Sequence, residues 1–302
     1  MIEGKLKNLL CKEQISDLFH SYKENTPYFT NQLAAGVSEL TSLPLLKSLD
    51  ELLNIWPREI DVHLPDAQDE ISSIKTTSTE AKQFHNNKMA LLFNDANLQS
   101  SILTEWLETL RIEMGFSSMT HSRCLIYSTP KDGGTAAHFD QNVNIVLQVH
   151  GEKKWWIAPN KSIENPLTRH TAGLECDPEL ESYAMEAFPD SMPSDAEEFT
   201  LTPGSLLFVP RGAWHKTHAN EDSLALNFTY SVPAWIDMLS AAIRGRLIQS
   251  TQWRASVDGL NNKMDTQKSV EDFSLLLHSL AQDMPNWNAE QILSIIEGEL
   301  PS

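Results

Sequence analysis

Cysteine is scarce in this chain: Cys11, Cys124 and Cys176 are the three cysteines among 302 residues. Their odd number and wide spacing argue against a disulfide framework and favour a reducing, cytoplasmic location. None of them belongs to a Cys-x-x-Cys pair. The sequence therefore gives no support for a structural zinc site.

Long apolar runs and basic residues are also scarce. No stretch approaches the roughly 18 apolar residues of a membrane span, and the N-terminus lacks the basic and apolar regions of a secretory signal. There are 23 lysines and arginines against 41 aspartates and glutamates, which gives a formal net charge of −18. This charge argues against a nucleic-acid partner. It is compatible with a basic partner, or simply with an acidic surface that keeps the protein soluble.

Hydrophobic periodicity divides the chain into three predicted regions. Residues 1–90 read as a mixed, mostly helical lead-in. Residues 91–235 hold short segments of period two between glycine and proline turns, which is typical of a sandwich or barrel of strands. Residues 236–302 are helical again and could complete the core or form a homodimer contact. The predicted fold class is α+β.

A hairpin is predicted in the middle of the strand-rich region. The segment from Val143 to Val149 alternates apolar and polar residues, as a half-buried strand does. The dipeptide Gly151-Glu152 predicts a tight connection. Residues 153–157 would then return as the hairpin partner of the preceding strand.

An acidic segment separates this hairpin from the next predicted strand. Residues 160–200 contain ten acidic side chains, against Lys161 and Arg169 as the basic ones. The simpler interpretation is a solvated loop over the mouth of the barrel. The alternative is a lid or a docking surface for a basic substrate.

The residues that point to chemistry are a His-x-Asp motif, His138 and Asp140, and the distant His215. Residues i and i+2 project from the same face of a strand, so His138 and Asp140 would point together, with Asn142 and Asn144 further along that face. His215 follows a Pro-x-Gly break after another predicted strand. Two imidazoles and a carboxylate suit Fe(II) and leave positions open for other ligands.

A lysine could complete such a site. Lys153 lies on the strand that we expect to pair with the strand of His138, where its charge could hold the carboxylate of a 2-oxo acid. The commoner outcome for a lysine at a hairpin is a solvent-exposed side chain. The remaining histidines near the motif are interpreted as non-ligands: His150, His170 and His218.

Four segments resemble the JmjC-type, cupin-fold Fe(II)/2-oxoglutarate oxygenases: Leu91 to Asp95, Tyr127 to Pro130 with Gly133-Gly134, His138 to Asn160, and Leu201 to His215. The resemblance is closest to the bacterial cupin-like hydroxylases, which include ribosomal-protein oxygenases and the asparaginyl-hydroxylase-like group. It implies a double-stranded β-helix (jelly-roll or cupin) core over residues 91–235, flanked by helical N-terminal and C-terminal segments. It also implies a dioxygenase that consumes O2 and 2-oxoglutarate and hydroxylates a side chain of a protein or peptide.

The same resemblance implies roles for seven residues. His138, Asp140 and His215 match the Fe(II) ligands, and Lys153 matches the residue that binds the distal carboxylate of 2-oxoglutarate. The other matches line the cosubstrate pocket: Asn227, Asn144 and Thr135.

Two alternatives stay open at this point. One is a metal-dependent cupin of another class, either an isomerase or a binding module, because cupins host many functions. The other is a JmjC lysine demethylase, which differs in the carbon that it hydroxylates. Lys153 and Asn227, added to a complete triad, favour an oxygenase over the first alternative.

Overall fold

Two antiparallel sheets make up most of the folded core. The computed structural model describes residues 4–63, 73–258, 260 and 263–297. The strands are β1 (Tyr28–Thr30), β2 (Ile60–His63), β3 (Ser73–Thr76), β4 (Ala90–Phe93), β5 (His121–Thr129), β6 (Gly134–Phe139), β7 (Val143–His150), β8 (Lys153–Ala158), β9 (His170–Thr171), β10 (Glu197–Leu201), β11 (Leu206–Val209), β12 (Trp214–Ala219) and β13 (Ser223–Ser231). The α-helices are α1 (Lys5–Leu9), α2 (Lys12–Lys23), α3 (Ser38–Thr41), α4 (Pro44–Lys47), α5 (Leu49–Ile55), α6 (Ser78–Asn86), α7 (Ser101–Glu113), α8 (Pro178–Ser182), α9 (Trp235–Leu247), α10 (Lys263–Asp283) and α11 (Ala289–Glu297).

The strands β5 to β8, and again β10 to β13, alternate between the two sheets. The large sheet has the order β1-β11-β7-β13-β5-β4-β2-β3, and the small sheet has the order β10-β8-β12-β6-β9. Successive strands β5, β6, β7 and β8 therefore switch sheets at each step, and so do β10, β11, β12 and β13. This is the predicted double-stranded β-helix, and it confirms the predicted fold class.

The lead-in contains more strand than its sequence predicted. Strand β1 pairs with β11 at one end of the large sheet, while β2 and β3 extend the other end beyond β4. Residues 1–90 thus add three strands to the same sheet as the core.

The two compact units of the chain are residues 1–116 with 120–232, and residues 117–119 with 233–302.

Helices of the first unit share one apolar core with the large sheet. Helix α7 begins after Ser100, whose Oγ accepts a hydrogen bond from the backbone N–H of Leu103 at 3.4 Å. Its predicted apolar stripe buries Leu103, Trp106 and Leu110 completely in this core. Each such side chain contributes about 1.5–3 kcal/mol through burial.

The alternation of β7 and β13 determines what faces the space between the sheets. On β7, Ile145 and Leu147 join the helical core, while Val146 belongs to a second apolar cluster with residues of the small sheet. The predicted alternation is therefore correct. The second face of β7 is nevertheless buried, because it lies against the space between the sheets and not against solvent.

The hairpin predicted around Gly151 is wrong. Strand β7 lies in the large sheet, whereas β8 lies in the small sheet and pairs with β10 and β12. Gly151 has φ of +67° and a Cβ there would collide with the backbone carbonyl of Asp222, so glycine permits a turn from one sheet to the other. Lys153 consequently does not lie on a strand that pairs with the strand of His138.

A second correction concerns the strand that carries the His-x-Asp motif. Strand β6 ends at Phe139 and β7 begins at Val143 in the other sheet. His138 and Asn144 are therefore on different sheets and not further along one strand. The same break means that His150 does not share a strand with His138.

The acidic segment of residues 160–200 is more than a solvated loop. It contains β9, which pairs with β6, and α8, which Asp177 caps by accepting hydrogen bonds from the N–H groups of Glu179 at 2.9 Å and Leu180 at 3.2 Å. Leu180 is fully buried in a cluster with Phe139 and other apolar side chains. This cluster attaches the segment to the small sheet.

Helices α9, α10 and α11 form the unit at the C-terminal end, as the helical periodicity predicts. Across the described residues, none of the helices combines the length and apolar character needed to cross a bilayer.

Candidate metal centre

Two neighbouring strands of the small sheet bring the predicted triad together. His138 on β6 lies directly opposite His215 on β12 in the sheet register, and their ring centroids are 4.1 Å apart. Asp140 follows one residue after β6 ends. Its Oδ2 lies 3.8 Å from Nε2 of His138 and 3.7 Å from Nε2 of His215. Of the described residues, these three alone form a group whose potential ligand atoms lie within 4.8 Å of one another.

Backbone carbonyls orient both imidazoles in the same way. Nδ1 of His138 lies 2.8 Å from the carbonyl oxygen of Ala136, and Nδ1 of His215 lies 3.0 Å from that of Ala213. With its proton on Nδ1, each ring donates to its carbonyl, and Nε2, which lies on the side of Asp140, keeps the lone pair that would bind a metal. Both rings are buried. The arrangement suits two neutral imidazole ligands.

The charge of Asp140 is controlled by its neighbours. Burial raises the pKa of this carboxyl, but the positive charges that His138 and His215 carry when protonated, together with the charge of Arg169, lower it, and the net pKa lies below its usual value. Arg169 contributes directly, because its Nε lies 3.6 Å from Oδ1 of Asp140. The group is therefore a carboxylate at neutral pH, which is the form that binds metals.

A cavity of about 610 Å³ opens between the two sheets and contains the triad. Lys153 lines the same cavity although its side chain is 4% exposed, and its Nζ donates a hydrogen bond to Oγ1 of Thr129 at 3.1 Å. The ammonium also lies 5.9 Å from the ring centre of Tyr127 and 5.8 Å from that of Trp155. The expectation of a solvent-exposed hairpin lysine is wrong, because β8 faces inwards at this position.

The other three predicted pocket residues all line this cavity. Asn144 Oδ1 accepts hydrogen bonds from Thr229 Oγ1 at 2.8 Å and from Asn227 Nδ2 at 3.3 Å. Asn227 Oδ1 is buried without a hydrogen-bond partner among the described residues. The hydroxyl groups of Thr135 and Thr217 form a hydrogen bond, with 3.0 Å between their oxygens. The large sheet thus supplies an amide wall opposite the triad.

Sequence reasoning missed four residues of the site: Trp155, Tyr127, Thr129 and Arg169. The ring of Trp155 stacks on His215 with 5.8 Å between centroids and 21° between planes. Trp155 could have been found, because it lies two residues after Lys153 on one strand and so shares its face. Arg169 had no comparable signal, since its position depends on the pairing of β9 with β6.

The three other histidines do not join the triad. His150 is exposed, and its Nε2 lies 2.8 Å from the carbonyl oxygen of Leu46. His170 packs against Phe188 with 4.7 Å between ring centroids. His218 lies opposite Gly134, near the far end of β6. The interpretation of all three as non-ligands agrees with this geometry.

Comparison with known proteins identifies the family of the strand-rich core. Residues 102–238 match the family model of the JmjC domain. The chain contains a JmjC domain. The match includes every strand from β5 to β13, and it confirms the resemblance seen in the sequence.

Two relatives of the chain differ in how much of their own length it covers. Bacillus subtilis YxbC is 29% identical over 300 residues, which are 96% of this chain and 89% of YxbC. Ribosomal oxygenase 2 of Bos taurus is 29% identical over 152 residues, which are 49% of this chain. The chain spans 29% of the length of ribosomal oxygenase 2, and the similarity is therefore to a part of that protein.

Escherichia coli YcfD has the same fold. One YcfD structure matches with a TM-score of 0.55 at 18% identity, covering 94% of this chain and 72% of that chain. Another, described as YcfD, a ribosomal oxygenase, in complex with cobalt and 2-oxoglutarate, matches with a TM-score of 0.54 at 15% identity, covering 89% and 67%. At these identities the likeness establishes the cupin-type fold alone.

Proposed function

We propose that this JmjC protein is an Fe(II)- and 2-oxoglutarate-dependent dioxygenase that hydroxylates a side chain of a protein or peptide. The observation that carries the proposal is a buried lysine, Lys153, in the same cavity as the His138, Asp140 and His215 triad. Its ammonium lines the cavity beside the triad, where it could pair with the carboxylate of an anionic cosubstrate bound next to a metal.

The triad residues fit Fe(II) by their chemistry and orientation. Two neutral imidazoles and one carboxylate are the donor set of non-haem iron oxygenases, and three protein ligands leave positions open for other molecules. Bound iron would supply the activation of O2 that couples decarboxylation of 2-oxoglutarate to hydroxylation of a C–H bond. The protein's own contribution is to fix the imidazoles through the carbonyls of Ala136 and Ala213 and to keep Asp140 ionised.

The cosubstrate pocket is assigned to the wall that carries Lys153. Its ammonium would form an ion pair with the distal carboxylate of 2-oxoglutarate, and Thr129 would hold the ammonium in place, since its hydroxyl accepts a hydrogen bond from Nζ. Asn227, Asn144 and Thr135 would line the rest of the pocket. The unpaired Oδ1 of Asn227 would accept a hydrogen bond from a bound molecule or from water.

Conversion of 2-oxoglutarate in the absence of a peptide, which is called uncoupled turnover, tests the proposed activity without knowledge of the substrate. The purified protein, supplied with Fe(II), ascorbate and O2, is expected to convert 2-oxoglutarate to succinate slowly in the absence of a peptide. The conversion should stop when either Fe(II) or O2 is withheld. Succinate formation that persists in the His215→Ala variant would show that another component of the preparation is responsible.

The two alternative functions are less well supported. An isomerase or a simple binding module has no need for a buried lysine beside a complete triad in a JmjC domain. Lysine demethylation is not favoured either, because ribosomal oxygenase 2 matches 49% of this chain, whereas the Drosophila persimilis protein named as a bifunctional lysine-specific demethylase and histidyl-hydroxylase matches 35% of it.

A basic protein or peptide is the proposed partner, and nucleic acid is not. The net charge of −18 and the ten acidic residues between positions 160 and 200 support this choice. We expect a labelled Lys/Arg-rich peptide to bind more tightly than a neutral peptide of equal length. Raising the salt from 50 to 300 mM should weaken its binding about tenfold or more. An affinity that does not respond to salt would argue against a basic partner.

The proposal extends to a homodimer formed through the C-terminal helices. Helix α9 exposes Trp235, Ile236 and Leu239, which are 79%, 58% and 47% exposed, and α10 exposes Phe273 at 54%. Apolar patches of this kind are typical of interaction sites. Light scattering should give the mass of a dimer for the native chain and of a monomer for an Ile236→Asp, Leu239→Asp variant. A monomeric native chain would refute the dimer.

A cytoplasmic location belongs to the same proposal. Cys11, Cys124 and Cys176 are all free thiols, which is the usual state in a reducing compartment. Cell fractionation tests the assignment, and recovery of the protein outside the cytoplasm would contradict it.

A further inference from the structure

Arg169 reaches the triad from the acidic segment of residues 160–200. Strand β9 pairs antiparallel with β6, with Thr171 opposite His138 and His170 opposite Phe139. One further step in the same register sets Arg169 opposite Asp140. Its side chain lines the cavity, and its Nε lies 3.6 Å from Oδ1 of Asp140.

The two oxygens of Asp140 have different neighbours. Oδ2 faces both histidines, at 3.8 Å from Nε2 of His138 and 3.7 Å from Nε2 of His215. Oδ1 faces the guanidinium of Arg169 instead. An outer partner that holds one carboxylate oxygen limits rotation of the group and presents the other oxygen to a metal. Asp140 lies beyond the end of β6, where its backbone carbonyl accepts a hydrogen bond from the N–H of Gly212 at 2.8 Å, so the restraint from Arg169 acts on the side chain.

The surroundings of β9 hold Arg169 in place. The backbone N–H of Ala172 donates to the carbonyl of Ala137 at 2.9 Å, which continues the pairing with β6. His170 lies 6.0 Å from Phe139 and 6.1 Å from Trp214, measured between ring centroids. These contacts belong to the buried cluster that attaches the acidic segment to the small sheet. The position of Arg169 is therefore a product of that packing.

We propose that Arg169 is a positioning residue for Asp140, and that the acidic segment supplies it as an outer part of the metal site. The inference rests on the proposed function in one respect, namely that Asp140 binds the metal. It gives the segment a role that differs from those of a solvated loop, a lid and a docking surface.

Co(II) binding distinguishes two effects that Arg169 could have on the metal site, namely positioning of the Asp140 carboxylate and repulsion of the metal by its own charge. Removal of a positive charge beside the site would, by charge alone, tighten binding of a divalent cation. Loss of positioning would weaken it, by about tenfold to 100-fold for outer partners of metal ligands. Titration of Arg169→Met with Co(II), followed by calorimetry and by the visible d–d spectrum, is expected to show weaker binding and a changed spectrum. Arg169→Lys keeps the charge and should bind with intermediate affinity.

Arg58→Met is the matched control. Arg58 lines the same cavity and pairs with a different carboxylate, since its Nη1 lies 3.2 Å from Oδ2 of Asp95. Its loss removes one positive charge from the cavity wall without touching Asp140. Co(II) affinity within twofold of the native value is expected for this variant.

The possible results are distinguishable. Unchanged or tighter Co(II) binding by Arg169→Met, with the native spectrum, overturns the inference. If that variant fails to fold in a thermal melt, Arg169→Lys decides, and native affinity and spectrum in the lysine variant overturn the inference equally. The His138→Ala variant distinguishes failure of the proposed metal site from failure of the role proposed for Arg169. Co(II) binding that survives this change refutes the metal site itself, whereas loss of binding leaves only the role of Arg169 to be decided.

Discussion

The His138→Ala variant is expected to lose binding of Fe(II) and Co(II) by more than about 100-fold, and to lose 2-oxoglutarate turnover with it. The change leaves one imidazole and one carboxylate, and two protein ligands hold a divalent metal poorly. It also removes the ring that lies 4.1 Å from His215 and faces Oδ2 of Asp140. Calorimetric titration of the metal-free protein measures the effect.

His218→Ala provides the control for this experiment. His218 lies on β12, the same strand as His215, but sits opposite Gly134 and outside the triad. Its replacement should leave metal affinity within about twofold of the native value. Equal metal affinity for the His138→Ala variant and the native protein, with both folded, would place the metal elsewhere and reject the triad.

The Lys153→Met variant should bind 2-oxoglutarate about 100-fold more weakly, which corresponds to about 2.7 kcal/mol. Methionine keeps much of the length and apolar contact of the lysine, including its packing near Tyr127 and Trp155, but removes the charge. The proposed ion pair with the distal carboxylate is then lost at a position that is almost fully buried, and methionine offers no hydrogen-bond donor in place of the ammonium. Metal affinity should remain close to native, since Lys153 is not a metal ligand.

Lys154→Met is the matched control because the neighbouring side chain points away from the site. Lys154 is one-third exposed, and its Nζ lies 2.7 Å from Oε1 of Glu198. A surface pair of this kind contributes little, so 2-oxoglutarate affinity should not change. If Lys153→Met binds the cosubstrate as tightly as Lys154→Met does, the assignment of Lys153 is incorrect.

Local patterns predicted that the side chains of His138, Asp140 and His215 come together, whereas the other pocket residues followed from the family resemblance. The spacing of His138 and Asp140, and the break before His215, are local features, and the folded chain brings all three within 4.8 Å. Alternation along β7 was equally readable, because the faces of a strand follow from its period of two. That the triad binds a metal and that Lys153 binds the cosubstrate remain predictions.

Local sequence patterns did not predict which of the two sheets each strand joins. Two strands joined by Gly151-Glu152 look like a hairpin in sequence, yet β7 and β8 belong to different sheets. The choice depends on long-range pairing of β8 with β10 and β12, which a short-range pattern does not contain. Strands β1, β2 and β3 were not predicted for related reasons. Each has only three or four residues, which is too short to give a clear period, and β1 pairs with β11, which is distant in sequence.

The position of Arg169 in the site also depends on long-range strand pairing, which local sequence patterns do not predict. Its charge stood out in an acidic segment, but its position beside Asp140 depends on a two-residue strand, β9. So short a strand has no measurable periodicity, and the aromatic cluster that fixes it joins residues from three parts of the chain.

Anaerobic addition of Fe(II) and 2-oxoglutarate to the metal-free protein tests whether the triad holds iron with the cosubstrate beside it. We expect a visible metal-to-ligand charge-transfer band that needs both components, disappears in His138→Ala and requires more 2-oxoglutarate in Lys153→Met. A folded native protein that binds Fe(II) but gives no band at saturating 2-oxoglutarate would refute the proposed dioxygenase site.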